Sequence, residues 1–179
     1  MKFSTNAVLC LFTASAYATA IDPRDLATVK QVLATVQSGI DALTSAAQGF
    51  DGSIQPVVDS SNKLVDSINA GTNAIKALDI LKSGDAFGLL SPVKELQQHA
   101  QSLDDEFKAR VSTIEQAKGC ATSRTQLDKI ATAAKSLIDT LVSKVPTVLQ
   151  SVAKDQANKI NGVLADAQAN LAADKCVDA

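Results

Sequence analysis

Apolar residues recur at steps of three and four along the stretch from Ser91 to Cys120. They are Val93, Leu96, Ala100, Leu103, Phe107, Val111 and Ile114. This spacing predicts one apolar stripe along a single long helix, with the Ser91-Pro92 pair as its start signal and Gly119 as its stop. Polar residues, including Asp104-Asp105, are assigned to the opposite, solvated face. Because a helix with one apolar stripe needs partners that cover it, the sequence predicts a helical bundle.

Four further stretches carry the same pattern, so we expect an all-α fold of about five amphipathic helices in a mostly antiparallel bundle. The first helix is predicted to begin at Asp22-Pro23 and the second at Ser53 with Pro56. Residues 123–126, Ser-Arg-Thr-Gln, fit a capping box at the start of the fourth helix. A short link at Pro146 makes the fourth and fifth helices antiparallel neighbours.

The start of the chain has the parts of a secretory signal peptide. A short basic start precedes an apolar run from Ala7 to Phe12, which is too short to span a bilayer. Small residues then permit cleavage after Ala18 or after Ala20, and the second site is preferred because a helix start follows it. We therefore expect a signal peptide at residues 1–20 and one secreted, extracellular domain at residues 21–179.

Two cysteines remain once Cys10 leaves with the signal peptide. In an oxidising compartment, Cys120 and Cys176 are most simply paired in a disulfide. Cys120 precedes the fourth helix and Cys176 follows the fifth, so antiparallel pairing brings both sulfurs to one end of the bundle. Because there is no CxxC spacing and His99 is the only histidine, the sequence predicts no metal site.

The composition excludes several functional classes. A formal net charge of -2 at pH 7 provides no general attraction to nucleic acid. After residue 20 the aromatic residues are Phe50, Phe87 and Phe107, too few to stack on bases or sugars. His99 is interpreted as a boundary residue and Asp104-Asp105-Glu106 as a solvated face, since consecutive helical residues point in different directions. No catalytic motif is present, so we expect neither enzymatic activity nor a cofactor.

Two positions in the second helix indicate an unusual interior. Ser61 and Gly71 lie on its apolar stripe, where larger apolar residues are expected. Close packing of a neighbouring helix is the favoured interpretation of Gly71, with a cavity as the alternative. For Ser61, a hydroxyl bonded to a carbonyl of its own helix is favoured over a ligand contact.

The segment between Lys82 and Ser91 is unusually apolar for a loop. It concentrates Phe87, Leu89 and Leu90 among glycines. We expect these side chains to tuck under the bundle, because exposed loops are normally polar. A plug that closes one end of the bundle is favoured over a mobile lid on an apolar cavity.

A bundle with many alanines on its stripes can accept a long, thin guest. An acyl chain buried between helices gains about 0.8 kcal/mol per methylene, and a hydroxyl or amide meets the head group. Close helix packing is the other explanation of such stripes. The candidate lipid-binding residues, chosen by position, are Ser61, Leu64, Ile68, Phe87, Leu90, Leu103, Phe107 and Val111.

Several features together resemble one family of fungal proteins. They are the signal peptide, the start of the first helix at residues 21–26, the Leu90-Ser91-Pro92-Val93 sequence, and the pair formed by Gly119-Cys120 and the terminal Cys176. This pattern resembles the hydrophobic surface-binding protein A family, secreted and cell-wall proteins also called cell-wall galactomannoprotein-like. The resemblance implies a helical bundle that binds hydrophobic material. Members adsorb to hydrophobic surfaces and assist polyester- or lipid-degrading enzymes, and related domains hold fatty acids in a central cavity.

The favoured hypothesis is a secreted, non-enzymatic protein that binds a fatty acid or similar lipid in the bundle interior, with Ser61 near the carboxylate. One alternative is a surface-active protein that adsorbs to hydrophobic surfaces and recruits a secreted hydrolase. Another is a structural cell-wall protein without a ligand. No nucleic acid and no transmembrane anchor are expected, and the Ser/Thr-rich tail of wall-attached members is not found in the sequence.

Overall fold

Residues 24–179 are described by the structure, a computed structural model. The predicted signal peptide at residues 1–20 and the predicted helix start at Asp22-Pro23 lie outside this range. The helices are α1 (Arg24–Gln48), α2 (Gln55–Lys76), α3 (Ser83–Phe87), α4 (Leu90–Gln116), α5 (Cys120–Lys144) and α6 (Gln150–Asn170), with a 3-10 turn at Thr147–Leu149. The described part of the chain contains no strand, which confirms the all-α prediction. None of these helices is both long and apolar enough to cross a membrane.

The five long helices form a closed ring around one shared core. Around the ring the order is α1, α2, α5, α6 and α4, and α4 packs against α1 again. Successive long helices alternate in direction along the chain, and α5 and α6 are antiparallel neighbours as predicted. Lys144 at the end of α5 donates hydrogen bonds to the carbonyls of Lys76 and Leu78, which joins the ends of α2 and α5. Each long helix therefore turns one face toward the same central space.

The junction between α4 and α5 differs from the sequence prediction. α4 ends at Gln116, and Lys118 adopts the left-handed conformation, with a φ of 56°, that follows many helix ends. α5 then begins at Cys120, before the predicted capping box. The capping-box prediction for Ser123 and Gln126 is wrong, because the tight turn places both residues inside the helix. Both side chains are buried there.

Close contact between α1 and α2 depends on two glycines. A Cβ on Gly71 would lie 2.5 Å from Val32 Cγ1, and a Cβ on Gly39 would lie 2.9 Å from Leu64 Cδ1. Both distances are shorter than the optimal separation of two carbon atoms. The close-packing interpretation of Gly71 is therefore confirmed.

The predicted disulfide is present at one end of the ring, which we call the disulfide end. Cys120 and Cys176 are bonded, with their Cα atoms 5.6 Å apart, and both are buried. The Cys120 N–H donates a hydrogen bond to Asp178 Oδ1 at 2.7 Å. Arg124 donates from Nε to the Leu171 carbonyl at 2.9 Å and from Nη2 to the Cys176 carbonyl at 3.2 Å. The segment after α6 is thus fixed against the start of α5.

The apolar segment between Lys82 and Ser91 forms α3 and the start of α4 at the opposite end of the ring, which we call the α3 end. Ala86 and Leu89 are buried there. Phe87 is 55% exposed and Leu90 is 38% exposed. The prediction that Phe87 and Leu90 tuck under the bundle is therefore wrong, because a short helix turns one side toward the bundle and the other toward solvent.

Candidate functional site

An inner cavity lies inside the ring, and all five long helices contribute to its lining. Most of the lining side chains are aliphatic. Among them are Val36, Ile40, Leu64, Ile68, Leu103, Ile130 and Val163. The free volume is about 70 Å³ for the centres of water-sized molecules, which is room for only a few of them.

Four polar side chains interrupt this apolar lining. They are Ser61, Asp104, Ser123 and Gln126, with exposed fractions of 1%, 5%, 4% and 8%. Ser123 and Gln126 lie within two turns of Cys120 on α5. Ser61 lies near the start of α2, which packs beside the same junction, where a Cβ on Gly119 would lie 3.3 Å from Ile54 Cδ1. The polar part of the inner cavity is therefore toward the disulfide end.

Three of the buried polar atoms have no hydrogen-bond partner among residues 24–179: Ser61 Oγ, Ser123 Oγ and Gln126 Oε1. The prediction that the Ser61 hydroxyl bonds to a carbonyl of its own helix is wrong. Thr72, on the same helix, does make that bond, to the Ile68 carbonyl at 2.8 Å. A buried polar group without a partner costs about 1–3 kcal/mol. Such groups are few in native proteins, so three around one cavity indicate a site for polar ligand atoms.

Asp104 is the charged member of this set. Its assignment to the solvated face of α4 is wrong, because its side chain is buried and lines the inner cavity. Asn170 Nδ2 donates a hydrogen bond to Asp104 Oδ1 at 3.0 Å. Burial raises the pKa of the Asp104 carboxyl above its ordinary value; the nearby carboxylates of Asp105 and Asp166 also raise it, whereas the bond from Asn170 lowers it. The net effect is a pKa above the ordinary value of 3.8.

An outer pocket lies at the α3 end, between α3, the start of α4, the end of α5 and the start of α6. Its lining is almost entirely apolar. It includes Phe87, Leu90, Val93, Leu141, Leu149 and Val152. Ile160 lines both the outer pocket and the inner cavity, so the two spaces are adjacent along α6.

The predicted lipid-binding residues are divided between these two spaces. Five of them line the inner cavity: Ser61, Leu64, Ile68, Leu103 and Phe107. Phe87 and Leu90 line the outer pocket. Val111 lies one turn beyond Phe107, packs against the core and lines neither space.

Sequence reasoning misses Asp104, Ser123 and Gln126 because it assigns polar residues to solvent or to helix ends. The spacing nevertheless contains a signal. Asp104 follows Ala100 by four residues, and Ser123 precedes Leu127 by four, so both continue an apolar stripe. A polar residue at a stripe position is the feature that would locate this part of the site.

His99 lies outside the inner cavity, between α1 and α4. Its Nδ1 is hydrogen-bonded to Asp41, and its Nε2 lies 2.9 Å from Gln37 Nε2. The side chain is 36% exposed, which confirms its interpretation as a boundary residue. The imidazole thus connects two helices of the ring and does not border the candidate site.

Comparison with known families identifies the chain. The sequence profile described as "Hydrophobic surface binding protein A" matches residues 26–143. The chain belongs to this family. The matched segment runs from α1 into α5, and it contains all four polar residues of the inner cavity. Within this member of the family, α6 follows the matched segment and completes the ring.

Curated relatives of this family member include two fungal cell wall proteins. Cell wall mannoprotein 1 of Aspergillus fumigatus is 31% identical over 123 residues, which cover 68% of this chain and 43% of the relative. Cell wall mannoprotein 1 of Aspergillus flavus is 28% identical over 155 residues, which cover 86% of this chain and 56% of the relative. The chain therefore spans about half the length of the curated relatives it matches.

Solved structures share the fold. Ligand binding domain 1 of the Penicillium marneffei MP1 protein, complexed with arachidonic acids, has a TM-score of 0.80 at 17% identity, with 83% of this chain and 99% of that domain covered. The structure of AFMP4P in complex with palmitic acid has a TM-score of 0.76 at 17% identity, with 82% of this chain and 99% of that chain covered. At this level of identity the likeness shows a common helical architecture.

Proposed function

We propose that the protein binds a long-chain fatty acid or similar lipid without transforming it. The acyl chain lies in the inner cavity, and the head group lies at its polar part. The observation that carries this proposal is the presence of three buried, unpartnered polar atoms in a mostly apolar cavity. An apolar lining with a few placed polar groups is the usual design of a small-molecule site. The MP1 and AFMP4P structures, which share the fold, contain arachidonic and palmitic acid.

The unpartnered groups suit a carboxyl head group. The hydroxyls of Ser61 and Ser123 can donate to a carboxylate oxygen or accept from a protonated acid, whereas Gln126 Oε1 can only accept, from a protonated acid. In the unliganded protein these groups raise the free energy of the folded state. A head group that supplies the missing hydrogen bonds removes this cost, which adds to the affinity.

The acyl chain extends from the polar part of the inner cavity toward the α3 end. Between Asp104 and Leu90, α4 rises about 21 Å at 1.5 Å per residue, which is similar to an extended long-chain fatty acid. Past Ile160 the outer pocket continues the apolar lining. Each methylene transferred from water to this path contributes about 0.8 kcal/mol.

Ligand entry requires the ring to widen, because about 70 Å³ of free volume is much less than a long-chain fatty acid occupies. α6 is the helix best suited to move. Among its residues, Val163 and Ala167 are the ones that are buried. Pro146 and the 3-10 turn at Thr147–Leu149 separate it from α5, so it can shift without bending its neighbour.

A displacement titration with a fluorescent fatty acid tests the proposal. We expect saturable, one-to-one binding that palmitic acid displaces. Ser61→Leu fills the polar part of the cavity and should weaken the affinity by at least about tenfold. Ser112→Leu makes the same change at an exposed position of α4 and should leave it unchanged. Unsaturable partition, or unchanged affinity in Ser61→Leu, would contradict the proposal.

A second candidate function, adsorption to hydrophobic surfaces, is supported by the α3 end. Large apolar side chains are exposed there: Ile80, Phe87, Leu90, Val148 and Val152. Exposed apolar groups at one end of a molecule are typical of a surface that meets other apolar material. Recruitment of a secreted hydrolase and a structural role in the wall remain predictions from the family resemblance. An extracellular or wall-associated location is supported by the names of the curated relatives.

Phe87 and Leu90 border both the outer pocket and the exposed α3 end, whereas Ser61 lies in the inner cavity alone, so variants at these positions separate the two candidate functions. The double change Phe87→Ser and Leu90→Ser should reduce adsorption to polystyrene several-fold, because it removes apolar surface from the α3 end. Ser61→Leu should weaken saturable fatty-acid binding and leave adsorption unchanged. Undiminished adsorption of the double variant would reject the α3 end as the adsorbing surface.

A further inference from the structure

The inner cavity has one ionisable side chain among its lining residues, and that side chain is Asp104. It borders the same space as the unpartnered groups of Ser61, Ser123 and Gln126. Its Oδ1 accepts the hydrogen bond from Asn170, whereas its Oδ2 has no donor within residues 24–179. A buried carboxyl group with one uncommitted oxygen therefore borders the cavity proposed for the lipid.

The charges around Asp104 do not favour a second anion. Asp105 and Lys108 lie on the same helix, and Asp166 approaches from α6. The residues that α1, α2 and α5 present to the cavity are uncharged. Two carboxylates and one ammonium group thus surround a carboxyl that is already removed from water.

We propose that Asp104 and the carboxyl group of the bound lipid hold one proton between them. Two carboxyl groups in a water-poor site cannot both be ionised without strong repulsion, so the pair retains a proton. In the complex, the O–H of one carboxyl donates to an oxygen of the other. A ligand that arrives as a carboxylate therefore binds together with one proton from solvent.

This inference rests on the proposed function and specifies its ligand and its regulation. The cavity selects long-chain acids under acidic conditions and releases them as the pH rises, because loss of the shared proton leaves two facing carboxylates. A long-chain alcohol provides the contrast. Its hydroxyl can donate to the Asp104 carboxylate or accept from the protonated acid, so its affinity should change little with pH.

Dissociation constants of palmitic acid and of an alcohol of equal length, measured from about pH 5 to about pH 9, test the inference. Between the pKa values of the free carboxyl groups and the higher pKa of the pair in the complex, the affinity of the wild-type protein for the acid should fall by about tenfold per pH unit, because binding takes up one proton. Asp104→Asn should bind the acid with almost no dependence on pH. Asp105→Asn, which removes the same charge from an exposed neighbour, should retain the wild-type slope.

Two further measurements test the shared proton. One uses a variant that retains Asp104, and the other counts the protons taken up on binding. Asn170→Ala removes the hydrogen bond that favours the ionised carboxyl, so release of the acid should move to higher pH. Calorimetric titration in two buffers with different ionisation enthalpies should show uptake of about one proton per acid bound by the wild type near neutral pH, and none by Asp104→Asn.

The outcomes separate this inference from the proposed function. If wild-type protein binds neither the acid nor the alcohol, the proposed function fails. If the wild type binds both and Asp104→Asn shows the same change of acid affinity with pH, the shared-proton inference is wrong, whereas the proposed lipid site is unaffected. Release at an unchanged pH in Asn170→Ala would also overturn the shared proton.

Discussion

The buried hydroxyl of Ser61 makes the folded protein less stable, and in the proposed site it provides a hydrogen bond to the ligand. Ser61→Ala removes a group without a partner, so we expect the free energy of unfolding of the unliganded protein to rise by about 1 kcal/mol. The same change removes a hydrogen bond to the ligand and should weaken palmitic acid binding about fivefold. Urea denaturation and titration measure the two effects.

Ser38 offers a matched control, because its exposed hydroxyl bonds to the Ala34 carbonyl on the outside of α1. Ser38→Ala should leave the affinity unchanged and should raise stability less than Ser61→Ala does, because it gains the same helix propensity but removes no unpartnered group. A Ser61→Ala variant that is less stable than the wild type and binds equally well would show that the Ser61 hydroxyl serves the fold instead of the ligand.

Burial of Asp104 makes the free energy of unfolding depend on pH. Because burial raises its pKa in the folded protein above the ordinary value of 3.8, the folded state holds this proton more tightly than the unfolded state. Its contribution to stability is complete below the unfolded pKa and is lost as the pH rises through the folded pKa. Asp104→Asn should therefore stabilise the unliganded protein at about pH 7 more than at about pH 4. Urea denaturation at both pH values checks this, and a variant that loses stability at neutral pH would contradict it.

The apolar half of the candidate site could be predicted from the sequence, whereas most of the polar half could not. Leu64, Ile68 and Leu103 follow from helical spacing alone, since any covered stripe faces the core. Whether a serine such as Ser123 finds a partner depends on which helices pack opposite it. That information lies in the ring order and not in the local sequence.

Helices as elements were predictable, and their ends were less so. The 3.6-residue period predicts a helix between Ser91 and Gly119, close to the observed bounds of α4, but the capping box at 123–126 predicts a helix start that lies inside α5. The structure continues α5 upstream to Cys120 because Lys118 makes the turn. Local capping signals and tertiary packing compete at such junctions, and here packing prevailed.

The contact between α1 and α2 provides a prediction for a single added methyl group. Gly71→Ala should reduce the free energy of unfolding by about 1–3 kcal/mol, because the new Cβ would lie 2.5 Å from Val32 Cγ1. Gly162→Ala, in α6, places a Cβ where no atom lies within 4 Å and should stabilise the helix by up to about 1 kcal/mol. Thermal denaturation compares the two. A neutral Gly71→Ala would show that the helices separate readily at this point.

For the whole molecule, the sequence predicted a five-helix bundle with a disulfide but not the order of helices around the ring. α4 follows α2 and α3 in the chain, yet it packs between α1 and α6. An apolar stripe must be covered by another helix, but the stripe does not specify which one, so several helix orders around the ring are compatible with the sequence. The close approach at Gly71 and the bonds from Lys144 to α2 are among the contacts that distinguish the observed order.

The disulfide contributes to the stability of the whole molecule, because it links the start of α5 to the segment after α6. Its cysteines are separated by 56 residues, so replacing both with alanine should lower the free energy of unfolding by about 4 kcal/mol. Reduced wild-type protein should show a similar loss in urea denaturation. If neither treatment lowers stability, the hydrogen bonds of Arg124 and Asp178 suffice to hold this end.

A crystal structure with a fatty acid that carries bromine at its methyl end would locate both ends of the ligand in one experiment. The proposed site predicts the carboxyl group beside Ser61 and Gln126, and an anomalous peak from bromine near Ile160 or the outer pocket at the α3 end. A bromine peak at the disulfide end, or a ligand held only on the outer surface of the ring, would contradict it.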